Sequence, residues 1–154
     1  MEIRLAQKQD IQSINKLLRQ VLSVHNKIRP DIFKEGTKKY TDDELKELLK
    51  NPQTPVFVAV EQEVLGYVFC QLIETKASNL LHPVKTLYID DLCVDEDKRG
   101  KGIGRALYEF ALDFAKRENC CNLTLNVWAG NDSAVQFYEK CGLGTQKTVM
   151  EKII

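Results

Sequence analysis

The run Arg99-Gly100-Lys101-Gly102-Ile103-Gly104 sets three glycines among cations, directly before a stretch that carries Ile103, Leu107, Phe110, Ala111 and Phe114 at helical spacing. Glycine inside a helix costs about 0.8–1.0 kcal/mol relative to alanine. At the first turn, however, it lets a ligand touch N–H groups that no helical partner satisfies. A helix amino terminus carries roughly half a positive charge, and Lys98, Arg99, Lys101 and Arg105 add mobile cations around it, so phosphate is the natural guest. The competing reading is a strand-to-helix loop with solvated charges. A P-loop is disfavoured because no Gly-Lys-Ser/Thr follows, and G-x-G-x-x-G fails because Arg105 or Leu107 stands at the third glycine position.

Bulk properties narrow the chemistry further. A chain of 154 residues is long enough for one ordinary soluble domain, taken as 1–154. Twenty-two basic residues balance twenty-two acidic ones, which removes the general field that nucleic-acid binding needs, so any phosphate affinity is local. The amino terminus has no long apolar run and nothing downstream reaches a membrane span, so a cytoplasmic protein is expected. The five cysteines are odd in number and lack a C-x-x-C pair, and only His25 and His82 accompany them; reduced core cysteines and no metal are expected.

The elements that must position the glycine run follow from periodicity. Glu2 to Ala6 reads as a strand, and Ile11, Ile14, Leu17, Leu18, Val21 and Leu22 predict a helix from an Asp10 cap to about Val24. Thr41-x-x-Glu44 is a capping-box pattern for a second helical region. "TPVFVAVEQEVLGYVFCQLIET" reads as a hairpin, "TLYIDDLCV" (Thr86 to Val94) as a fourth strand and "NLTLNV" as a fifth, on either side of the glycine-opened helix. Strand, helix, strand implies a parallel pair, so the sheet should be mixed. A last helix carries Ala134, Phe137, Tyr138 and Cys141 at i, i+3, i+4 and i+7, and "TQKTVMEKII" offers a closing strand.

Arg99 to Gly104 matches R/Q-x-x-G-x-G/A, the signature of the GNAT N-acetyltransferase superfamily. "NDSAVQFYEKCGL" resembles that family's N-x-x-A-x-x-F-Y-x-x-x-G-F segment, with Leu143 in the usual Phe place. The resemblance covers roughly the carboxy-terminal half, and the helical order of the first half also fits. It implies an α/β (α+β) GNAT fold: a central mixed, mostly antiparallel sheet with splayed fourth and fifth strands and helices on both faces.

The same resemblance implies a use for the glycines. The pyrophosphate of acetyl-CoA would lie on the amides of Arg99, Gly100, Lys101, Gly102, Ile103, Gly104 and Arg105. The pantetheine arm would pair with Leu92, Cys93 and Val94, with Asn131 contacting it as well. A main-chain N–H at Leu92 or its neighbour is placed for the oxyanion. Tyr138 matches the tyrosine that protonates the departing thiolate, a suitable task for a phenol of pKa near 10. Asp90 matches the base-like position of an acidic "YLED" stretch, with Asp91 beside it. Neighbours on a regular strand face opposite ways, so a β-bulge would be needed for both to face one side.

The acceptor should sit across the splay, against the first two helices, where His25 and Asp91 are candidate substrate-binding residues. "VHNKIRPDIFKEG" around His25, with Arg29, Asp31 and Glu35, is the expected specificity loop. The implied reaction is direct transfer of an acetyl group from acetyl-CoA, as cosubstrate and without metal, to a primary amine of a small molecule, peptide or protein. The alternatives are a non-catalytic acyl-CoA sensor and a loop that binds another phosphate ligand such as a nucleotide. Neither nucleic acid nor membrane is an expected partner, and the "MEKII" tail could serve a homodimer.

Overall fold

The computed structural model describes residues 1–154. Its first strand, β1 (Glu2–Leu5), is tied to the helix after it by Asp10, whose buried carboxylate takes two bonds from the Arg4 guanidinium (2.7 and 3.0 Å) and one from Gln7 N–H (2.7 Å). From there α1 (Ile11–Ile28) packs Ile11, Ile14, Leu17 and Leu18 into the core. The helix runs one turn past the expected end at Val24, because no breaker precedes Pro30 and Arg29 N–H still bonds His25 O at 2.8 Å. This extension places His25 on a helix rather than in a loop.

Thr41 caps α2 (Asp42–Leu48) as the capping box requires: its Oγ1 accepts from Glu44 N–H at 3.2 Å and the Glu44 carboxylate accepts from Thr41 N–H at 2.7 Å. The hairpin follows as β2 (Val56–Val60) and β3 (Val64–Thr75), then β4 (Val84–Val94), α3 (Ile103–Arg117), β5 (Asn122–Leu125) and α4 (Asp132–Lys140). Strands lie in the order β1-β2-β3-β4-β5; all neighbours are antiparallel except the parallel pair β4–β5. The sheet is mixed and mostly antiparallel, as expected. One face is covered by α1 and α2 over Val56, Val58, Tyr67 and Phe69; the other is covered by α3 and α4 over Phe57, Val68, Cys70, Leu87 and Ile89.

Two irregularities in β4 shape everything built on it. Phe69 pairs with Asp91 and Cys70 with Ile89, so Asp90 is left without a partner on β3, in a β-bulge. On the other edge, β5 pairs from Thr86↔Asn122 only to Ile89↔Leu125. Beyond Ile89, β4 therefore runs to Val94 with a partner on one side only. The fifth strand is shorter than the "NLTLNV" run suggests, because Asn126 and Val127 have already turned away from β4.

Other expectations fail at the edges. Residues 145–154 add no closing strand; Val149, Met150, Ile153 and Ile154 are exposed, and the tail is held through Glu151 on Arg29 at 2.9 Å. Cys70 and Cys93 are core residues and Cys120 and Cys141 half-buried, but Cys121 is exposed at the start of β5. No helix is long and apolar enough to cross a membrane.

Gly66 of β3, opposite Val94, is a packing necessity. A Cβ there would lie 2.6 Å from Cys93 O and 3.1 Å from Leu107 Cδ1, between main chain and a buried side chain. Gly66→Ala should destabilise the fold by about 1–3 kcal/mol, the usual cost of overpacking, read as a lower denaturant midpoint at unchanged m-value.

Candidate active site

The glycine run folds as the chain's polar geometry demands. Asp95, buried at the end of β4, accepts from Lys16 Nζ at 2.6 Å and from Asp97 N–H at 3.2 Å. The Lys16 ammonium holds the Asp95 carboxyl below its ordinary range. That anchor fixes the short turn Glu96–Lys98, after which Gly100 and Gly102 both take φ of +78°, a left-handed conformation that side chains resist. Gly102 caps α3 without a side chain, and the first helical bond closes only at Ala106, to Gly102 O at 3.0 Å. The N–H groups of residues 99–105 donate to no main-chain carbonyl. Gly104 is less constrained: a Cβ there would make only ordinary contact with the side chains of Val94 (3.4 Å) and Phe137 (3.6 Å).

The unpaired edge of β4 continues this donor surface. Asp95 N–H donates to Leu65 O at 2.9 Å, which sets the antiparallel alternation. Cys93 and Asp91 then turn their main-chain groups toward β3, while Leu92 and Val94 turn theirs into the gap left by β5. Arg99 Nε reaches Val94 O at 3.3 Å, consistent with a carbonyl that points into the gap.

The bulge decides where the two carboxylates go. With Asp90 displaced from the ladder, both acidic side chains face the α1–α2 side. Tyr40 Oη donates to Asp90 Oδ2 at 2.5 Å and Tyr67 Oη to Asp91 Oδ2 at 2.8 Å. Phe69 separates the two tyrosines, stacked on Tyr40 (5.5 Å between centroids) and edge-on to Tyr67 (4.9 Å). Lys39 Nζ completes the arrangement at 2.8 Å from Asp90 Oδ2. Burial pushes Asp91 up to about 6, against the lowering effect of the Tyr67 hydroxyl.

One cavity of about 1080 Å³ joins these parts. Of the candidate catalytic, cofactor-binding and substrate-binding residues marked from sequence, all but Lys101 line it. Tyr138 faces the cavity from α4 half-buried; burial and the Asp91 carboxylate raise its pKa above that of a free phenol, so it stays protonated. Asn131 lines the wall while capping α4, its Oδ1 accepting from Ala134 N–H at 3.4 Å. The Arg105 side chain turns to Lys140 O (3.0 Å) and Glu109 (3.1 Å), leaving its main-chain N–H at the helix start. His25, on α1, packs on Phe33 at 5.1 Å, and burial followed by the Lys39 charge keeps it neutral. Arg29 and Asp31 pair with each other at 2.7 Å and lie off the cavity, as does Glu35.

Sequence reasoning did not single out Tyr40, Tyr67 or the aromatic wall of Phe33 and Trp128, which meet edge to face at 5.5 Å. Only Tyr67 left a trace, through its alternation with Phe69 on β3. The others are brought in by the irregular chain between α1 and α2 and the turn after β5.

Asp91 gives a pH signature. Its folded pKa stands above the ordinary 3.8, so its contribution to stability is full below that pH and is lost as pH rises through about 6. Asp91→Asn should therefore stabilise the protein above pH 7 by on the order of 2–3 kcal/mol, with the gain vanishing near pH 4, in denaturation curves across that range.

A family model described as the acetyltransferase (GNAT) family matches residues 18–143. Glucosamine 6-phosphate N-acetyltransferase of Arabidopsis thaliana is 32% identical over 100 residues, 63% of this chain and 64% of that protein. The peptidyl-lysine N-acetyltransferase YjaB of Escherichia coli is 33% identical over 103 residues, 64% of this chain and 57% of its own. The chain thus spans about three-fifths of the length of these curated relatives. The crystal structure of a tetramutant of the BH1408 protein from Bacillus halodurans superposes over the whole of both chains with a TM-score of 0.96 at 32% identity. With the matched region reaching from α1 past α4 and the splayed β4–β5 pair at its centre, the chain belongs to the GNAT acetyltransferase family.

Proposed function

We propose that this protein is an acetyl-CoA-dependent N-acetyltransferase that passes the acetyl group directly to a primary amine. The observation that carries this reading is the continuity of one cavity from the free amides of residues 99–105, along the unpaired edge of β4, to the Asp90–Asp91 pair and Tyr138. Acetyl-CoA supplies an acetyl group already activated as a thioester. The amides of Arg99 to Arg105 hold its diphosphate at the positive end of α3. Leu92 and Val94 offer main-chain groups to the amide-bearing arm in the manner of an added strand, with Asn131 opposite. Leu92 N–H donates to the acyl carbonyl oxygen, where a preorganised donor contributes several kcal/mol to the transition state.

Asp90 takes the proton of the incoming amine and Tyr138 gives one to the sulfur that leaves, so the C–N bond forms as the C–S bond breaks. Asp91 and His25 line the acceptor side. Direct transfer is supported by the state of the cysteine nearest the arm. Cys93 is buried, burial pushes its thiol up to about 12, and its Sγ lies 3.7 Å from Leu17 O and from Val94 O. It is a core thiol and no acceptor for an acyl group.

Turnover of acetyl-CoA over a panel of polyamines, amino acids, aminoglycosides and peptide amino termini tests the reading. Tyr138→Phe should lose roughly 10²-fold or more in kcat with cofactor binding largely kept. Asp90→Asn should flatten the acid limb of the pH–rate profile; an unchanged profile would remove Asp90 as the base. If acetyl-CoA raises the melting temperature yet neither this panel nor apolar and aromatic monoamines accelerate CoA release, the protein is an acyl-CoA sensor. Stronger stabilisation by ATP than by acetyl-CoA would overturn the cofactor assignment.

A further inference from the structure

The acceptor half of the cavity has an unusual charge balance for a site that must receive an ammonium. Asp90 and Asp91 are its only acidic side chains, and both already have partners: Tyr40 Oη and Lys39 Nζ on Asp90, Tyr67 Oη on Asp91. Lys39 is held twice, by the Asp90 carboxylate at 2.8 Å and by Asp90 O at 3.3 Å. Lys34 and Lys38 line the same side, and Lys38 is balanced by Asp42, outside the cavity lining. The remaining wall is apolar and aromatic: Val24, Ile32, Phe33 and Trp128, with the neutral His25 on Phe33.

Resting on the acetyl-transfer reading above, we propose that the acceptor is a primary amine whose substituent is apolar or aromatic and carries no second positive charge, and that Lys39 enforces this selection. A single ammonium finds its counter-charge in the Asp90–Asp91 pair by sharing it with Lys39. A second ammonium farther along the substituent would meet Lys34 and a Trp128 ring already covered by the Arg29 guanidinium at 5.6 Å, with no carboxylate of the lining to face, so the loss of its hydration would go largely uncompensated. Polyamines and aminoglycosides are therefore poor substrates, despite the carboxylate pair. Lys39 acts as a specificity-determining residue: it takes up charge on Asp90 that a polycation would otherwise claim.

The chain contains a single tryptophan, Trp128, and it sits in this wall, so binding is readable by intrinsic fluorescence without acetyl-CoA. Benzylamine and p-xylylenediamine form a matched pair that differs by a terminal aminomethyl group. Titrated against the full chain, the monoamine should bind at least about tenfold tighter, and the ratio of kcat/KM values should follow. Lys39→Gln should narrow that ratio by strengthening diamine binding, and Lys39→Arg should restore it. Equal or tighter binding of the diamine to the wild-type protein, or an unchanged ratio in Lys39→Gln, would overturn the proposal. So would the absence of a Trp128 response to either amine. If fluorescence discriminates the pair but no amine is acetylated, the acetyl-transfer reading fails while the selectivity of the pocket stands.

Discussion

The site depends on one constraint in the sheet: β4 cannot stay paired on both edges once Asp90 has been pushed out of register. A bulge bends its strand and increases the local twist. Ile89 is the last residue of β4 that pairs with β5, and Asp90 is the bulged one. The coincidence makes a single feature responsible for two results. It parts β4 from β5, which leaves Leu92 and Val94 without a strand partner on that edge. It also rotates Asp90 onto the face of Asp91, so that a carboxylate pair forms where a regular strand would have split it.

Such an opening would destabilise the sheet if nothing supported it, and the surrounding packing shows how it is held. Each carboxylate is capped by a tyrosine hydroxyl, and the two tyrosines are fixed against a common ring, Phe69. Gly66 brings β3 close beneath the last residues of β4, so the strand stays in place on its remaining edge. Asp95 then fastens the end of β4 to α1 through Lys16, with Gln20 Oε1 accepting from Glu96 N–H at 3.2 Å. The same helix bears His25 about two and a half turns beyond Lys16, at the proposed acceptor side.

The proposed cofactor half was legible in sequence because its demands are local. A run of glycines before an apolar periodicity states both the helix start and the need for left-handed backbone, and Gly100 and Gly102 satisfy it. The order of strands and helices was equally readable from periods of two and 3.6 residues, as was the Thr41 capping box. The acceptor half was not, because it is assembled by distance. Tyr40 reaches Asp90 across fifty positions and Tyr67 reaches Asp91 across twenty-four, through a register that no spacing announces. The length of α1 was underestimated because a helix without an interior breaker runs on until its backbone is stopped, here at Pro30. The closing strand was overestimated from residues 145–154: β5 leaves only a four-residue outer edge, and the tail instead pairs Glu151 with Arg29.

The contrast between the halves bears on how such a protein can change over generations. The proposed phosphate seat is written in main-chain N–H groups, which every residue but proline possesses, so most point mutations in the loop leave its donors intact; proline, or a side chain at left-handed positions such as Gly100 and Gly102, disturbs them. The acceptor wall is written in side chains of an irregular segment between α1 and α2, where one codon alters charge, size or aromaticity without touching the sheet. A lineage can thus exchange one acceptor for another while its donor chemistry is inherited unchanged.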